Sequence, residues 1–182
     1  DGTLDLLLTM GGADDALYVL LNNADDDGDG IWDGFASQVT FPLNNGNPNY
    51  EPMGLDVTNI SRAAPSNTDL LDVAIAVRGT GSMRGFVELI EFTDTDSDGV
   101  LEATQTSLQL DCVDGSDASD NDCGLEPLPD PVDLVFWDLN ATAGMAIVVT
   151  SNRDSSYRVL EVTPSLRGRA SATEKNPLRA PS

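Results

Sequence analysis

Apolar residues in this chain come in short clusters closed by Gly, Asn or Asp. Three clusters open on an aspartate, Asp5-Leu-Leu-Leu-Thr, Asp72-Val-Ala-Ile-Ala and Asp133-Leu-Val-Phe-Trp, with anchors 67 and 61 residues apart. Each runs into a polar turn, at 11–15, 79–82 and 140–144, and then a second cluster: Leu17-Tyr-Val-Leu-Leu21, Phe86-Val-Glu-Leu-Ile90 and Met145-Ala-Ile-Val-Val149. A third, partly alternating run follows in each case, through Val39, Phe41 and Leu43, through Leu108 and Leu110, and from Val159 to Val162. Short runs rich in branched residues and bounded by turn formers read as strands. No segment carries a 3.6-residue period. Near-continuous apolar runs predict strands covered on both faces. The expectation is an all-β chain of roughly ten to twelve strands, given ordinary strand and loop lengths. It divides into repeat units of about 1–66, 67–129 and 130–162, followed by a tail at 163–182.

Between the second and third runs of the first two units lie acidic loops. Residues 25–33 and 94–102 both read D-x-D-x-D-G-x-x-[DE]. Alternate carboxylates on a tightly turned loop converge on one point, and the glycine permits the turn. That arrangement suits a hard cation taking about six to eight oxygens, so calcium is favoured over magnesium. The expected ligands are Asp25, Asp27, Asp29 and Asp33, with the carbonyl of Ile31, in one loop. In the other they are Asp94, Asp96, Asp98 and Glu102, with the carbonyl of Val100. Neither loop is an EF-hand, because its twelfth position is Ala36 or Gln105 where a bidentate Glu is needed. The plain alternative is an acidic solvated turn, against which the mutual repulsion of three adjacent aspartates at 25–27 counts.

The segment Asp1-Gly-Thr-Leu-Asp5-Leu-Leu-Leu-Thr9 resembles the second half of the FG-GAP/VCBS repeat of integrin-like β-propellers. Asn67-Thr-Asp69-Leu-Leu-Asp72-Val keeps a degenerate form of that motif, and Asp130-Pro-Val-Asp133-Leu keeps less. Pro52-Met-Gly-Leu-Asp-Val57 looks like the blade strand that enters it. The resemblance implies four-stranded propeller blades over residues 1–162 and a partial calcium site at Asp1 and Asp5. The complete loops at 25–33 and 94–102 sit elsewhere in the unit and look more like those of thrombospondin type 3 repeats. At this repeat spacing the chain holds fewer than three blades, short of the roughly four to eight of a closed ring. A partial propeller, a ring completed by other chains and a calcium-binding β-sandwich all remain open. The sequence opens on Asp1 and reads as a processed form or a piece of a longer chain, and the cut motif there favours the piece.

Composition narrows the function. With no His among 182 residues there is no Ser-His-Asp or Cys-His machinery. A net charge of −22 disfavours nucleic acid and anionic membranes. No apolar run approaches the roughly 20 residues of a membrane span. Charge is also uneven: the Pro/Ser/Ala-rich tail at 163–182 holds Arg167, Arg169, Lys175 and Arg179 against Glu174 alone. By itself this tail reads as disordered. If ordered, it points to docking on its own acidic body or on a neighbour, and so to a homo-oligomer.

Cys112 and Cys123 flank a short acidic loop and read as a disulfide in a secreted or cell-surface protein. Gly79-Thr-Gly81-Ser-Met-Arg-Gly85 has neither the spacing nor the following helix of a dinucleotide loop and reads as a hairpin turn. Trp32 is expected to pack beneath its loop and Trp137 to lie in the core. The function expected is a non-enzymatic, calcium-stabilised structural or adhesion protein with a protein or carbohydrate surface ligand. The alternative is an accessory or catalytic module of a secreted polysaccharide-active enzyme, since paired carboxylates abound.

Overall fold

The computed structural model describes residues 5–11, 15–23, 28–35, 38–43, 47–58, 72–93, 102–110, 129–140, 144–153, 155–163 and 171–179. Among these residues the chain is all-β. It contains the strands β1 (Leu6–Met10), β2 (Ala16–Leu20), β3 (Val39–Pro42), β4 (Tyr50–Thr58), β5 (Asp72–Gly79), β6 (Phe86–Thr93), β7 (Glu102–Gln109), β8 (Pro131–Asn140), β9 (Gly144–Ser151), β10 (Ser156–Thr163) and β11 (Ser171–Arg179). They form three sheets, β1-β2-β3, β4-β5-β6-β7 and β8-β9-β10-β11. Within each sheet, strands consecutive in the chain pair antiparallel, so each sheet is a meander. The Gly79–Gly85 segment is indeed the turn between β5 and β6, with Met83 N–H donating to the carbonyl of Thr80 at 3.1 Å.

The middle sheet is covered on both faces, which explains its continuous apolar runs. On one side Val73, Ile75, Val77, Phe86 and Ile90 pack with Leu17 and Val19 of the first sheet. On the other, Ala74, Ala76, Val87 and Leu89 pack with Leu134, Ile147, Val149, Leu160 and Val162 of the third. The Phe41 and Phe92 rings meet edge to face at 5.2 Å across the first of these layers, a favoured aromatic geometry.

The first strands of the second and third sheets, β4 and β8, lie side by side. Phe136 N–H donates to Asp56 Oδ2 at 2.8 Å, while Asp56 Oδ1 accepts from Val57 N–H. A Cβ on Gly54 would lie 2.6 Å from Asp133 Oδ1 and 3.1 Å from Asp133 Cα, so this approach requires glycine.

Several features differ from the sequence reading. The Asp133 run is out of phase with the Asp72 run, since it lies in β8, the first strand of its sheet, whereas Asp72 opens β5, the second strand of its own. The strand at 50–58 does not close the first unit but opens the second sheet, pairing with β5 from Tyr50↔Gly79 to Thr58↔Asp72. The sheets therefore run over 6–42, 50–109 and 131–179. Residues 171–179 of the tail form β11, the edge strand of the third sheet. Its register slips opposite Arg158, and Pro177 sits at that bulge, where a residue without an N–H is tolerated. Finally, Trp137 is not core. Alternation along β8 turns Leu134 and Phe136 inward and leaves Trp137 58% exposed on the outer face of the third sheet.

Candidate functional site

The β2–β3 connection carries the described part of the first acidic loop. Gly28, Gly30 and Gly34 have φ of 75°, 83° and 86°, left-handed values that side chains with a Cβ resist. Between them Asp29 Oδ1 accepts from Ile31 N–H at 2.7 Å, an Asx turn that tightens the loop. Its neck is closed by an antiparallel bridge between Asn22 and Phe35 and by Asn23 N–H donating to the carbonyl of Gly34 at 3.0 Å. Asp5 fastens this neck to the start of β1, accepting Asn22 N–H on Oδ1 at 2.9 Å. Asp29, Ile31 and Asp33 are all exposed on the loop.

Trp32 does not pack beneath the loop. It is 57% exposed, its Nε1 donates to Asn22 Oδ1 at 2.8 Å, and its ring meets Phe35 edge to face at 5.3 Å. The indole N–H needs an acceptor, and the neck asparagine supplies one only at the surface.

Of the second loop the structure describes Glu102 alone, exposed at the start of β7 opposite Thr93. Asp25, Asp27, Asp94, Asp96, Asp98 and Val100 lie outside the described residues, as do Asp1, Cys112 and Cys123. Among the described residues no three acidic or cysteine side chains come together as a metal-holding group.

Buried polar groups form a second set that sequence reasoning missed. Glu88 is 2% exposed, and Ser107 Oγ donates to its Oε2 at 2.8 Å. Burial raises its pKa above the ordinary carboxyl range, and the Ser107 hydrogen bond offsets part of that rise. The signal was legible: in Phe86-Val-Glu-Leu-Ile90, alternation puts Glu88 on the same face as Phe86 and Ile90. Arg84 and Arg158 are also buried, with hydrogen bonds to the carbonyl of Leu110 and to Ser156 Oγ. Arg158 alternates with Leu160 and Val162 on the inner face of β10. Asp130 is buried at the entry to β8, where its N–H donates to Ser151 Oγ at 2.9 Å.

Among the described residues no helix is long and apolar enough to cross a membrane. No family model, no curated protein and no solved structure matches this chain.

Proposed function

We propose that the chain is a non-enzymatic, calcium-stabilised β-repeat scaffold of the extracellular space, built from sheets akin to the blades of FG-GAP/VCBS-type propellers. The observation that carries this reading is the β2–β3 loop, in which three left-handed glycines and an Asx turn at Asp29 wind an exposed acidic segment tightly above a closed neck. Asp29, Asp33 and the carbonyl of Ile31 would hold the cation together with Asp25 and Asp27, and Glu102 would serve the second loop with Asp94, Asp96, Asp98 and Val100. Calcium supplies charge neutralisation there, and its binding energy becomes folding energy. Two consecutive four-stranded meanders support the blade analogy.

Native mass spectrometry with and without chelator tests the proposal. Two or more calcium ions per chain are expected, with Asp29→Ala and Asp96→Ala each removing one. A chain that stays calcium-free in millimolar calcium rejects it. The exposed Trp32–Phe35 pair beside the loop favours a carbohydrate as the surface ligand, since aromatic faces stack on sugar rings. Loss of glycan-array binding in Trp32→Ala is the expected result.

A further inference from the structure

Among the described residues, the first and third sheets each present large apolar side chains exposed on the face turned away from the middle sheet. On the first sheet the outer face shows Leu6, Leu8 and Met10, exposed by 38%, 43% and 54%. On the third it shows Val135, Trp137 and Tyr157, exposed by 47%, 58% and 38%. Register unites each set on one side. Leu6 and Leu8 stand opposite Leu20 and Tyr18, while Val135 and Trp137 stand opposite Val148 and Ala146.

The chain itself shows what such faces do. Its two internal layers have the same sense: the side of one sheet that looks along the stack packs on the back of the next. The first sheet turns Leu17 and Val19 toward Val73, Ile75 and Val77. The second turns Ala74 and Ala76 toward Ile147 and Val149. The second strand of the third sheet repeats this alternation: Ala146, buried, and Val148, half-buried, share the outward side with Trp137 and Val135, where Ala74 and Ala76 face the next sheet. The outer face of the third sheet is thus the counterpart of two forward faces that the chain buries. The outer face of the first is the counterpart of two backward faces that it buries.

We infer that a second copy of this chain covers them, the third sheet of one copy packing on the first sheet of the next. Such a contact is heterologous, so it closes into a ring or continues as a chain of copies according to its angle. Trp137 and Tyr157 supply large aromatic area to one side, the residue types that dominate interface energetics. The opposing influence is the net charge of −22 on each copy, which salt screens. This contact is apolar and independent of the proposed calcium loops.

Sedimentation velocity of the full chain at about 1 M salt, where charges are screened beyond about 3 Å, tests the inference. The expected result is a concentration-dependent assembly of two or more copies, strengthened relative to low salt. Leu8→Glu and Trp137→Glu should each weaken it at least about tenfold, as loss of a central apolar anchor does. Each variant keeps one intact face, so an equimolar mixture of the two should form a pair of chains and nothing larger. Both positions are exposed, and melting curves establish that the sheets are retained. If Leu8→Glu or Trp137→Glu lowers the melting temperature, Leu8→Ser and Trp137→Ser replace the pair. A wild-type chain that stays monomeric overturns the inference, as it would if another protein or other sheets cover these faces. So does an assembly indifferent to both substitutions. So does one abolished by Leu8→Glu but untouched by Trp137→Glu, which would mean like faces pairing.

Discussion

Glu88 lies between Phe86 and Ile90 on the face of β6 turned toward the first sheet, with one described hydrogen-bond donor in Ser107. Burial holds its carboxyl above the usual range, so the folded state binds this proton more tightly than the unfolded chain does. The stability this group contributes is therefore complete below the unfolded pKa of about 4.3. It is lost as pH rises through the higher folded value. Glu88→Gln keeps the shape and the acceptor for Ser107 but removes the charge. It should melt above the wild type near neutral pH, and the gap should close toward pH 4. Parallel thermal melts across that range check the sign, and a constant gap would assign the effect to packing. Ser107→Ala should act the other way at neutral pH, costing about 1.5–3 kcal/mol as the loss of a hydrogen bond to a charged group.

At the scale of elements, the junction of β4 with β8 depends on Gly54, whose absent Cβ leaves room for Asp133. The Asp133 carboxylate can rotate only by giving up its bond to Leu134 N–H, and the Asp133 Cα cannot move without β8. Gly54→Ala should thus cost about 1–3 kcal/mol, the range for overpacking a tight contact, read as a lower urea midpoint at unchanged slope. Deleting residues 171–182 should destabilise the chain itself, by about 5 °C or more in melting temperature, because β10 loses the partner that pairs it from Ser156 to Thr163. A tail that only linked separate copies would leave the melting temperature alone. The elements differed in how plainly the sequence announced them. The central strands of the middle sheet, β5 and β6, stand out because their two covered faces are written largely in Val, Ile, Leu and Ala. β4 does not announce its sheet, because Glu51, Pro52, Gly54 and Asp56 interrupt it and pairing partners are not encoded in a single strand. β11, reading Ser-Ala-Thr-Glu-Lys-Asn-Pro-Leu-Arg, carries no apolar period. As an edge strand it is held by backbone pairing along one side. Trp137 lies in an apolar run yet is exposed, because such a run shows that a face wants cover, not that the same chain provides it.

For the whole molecule the governing quantity is a charge of −22, whose self-repulsion opposes the compact state. Two effects of a divalent cation have to be separated. Any divalent ion screens that repulsion, whereas a formed site of six to eight oxygens discriminates calcium from the smaller magnesium, which needs near-ideal octahedral geometry. The legible part of the candidate site was its pattern: Asp29 does lie in a glycine-turned loop, and Asp33 is exposed beside it. What the pattern left out is that Asp5 serves the neck of this loop through Asn22, a contact between distant residues that spacing alone does not reveal. Melting the chain in calcium and in magnesium at matched ionic strength separates screening from coordination. At about a hundredfold excess over its dissociation constant, one calcium should add about 2.7 kcal/mol. In a chain of this length that corresponds to roughly 5–10 °C. Asp29→Ala should remove part of the calcium increment and leave the magnesium increment unchanged. Equal stabilisation by the two ions would show that the acidic loops only feel the ionic atmosphere, and the calcium scaffold reading would fall. The apolar end faces would be untouched by that result, because their association should rise with any salt.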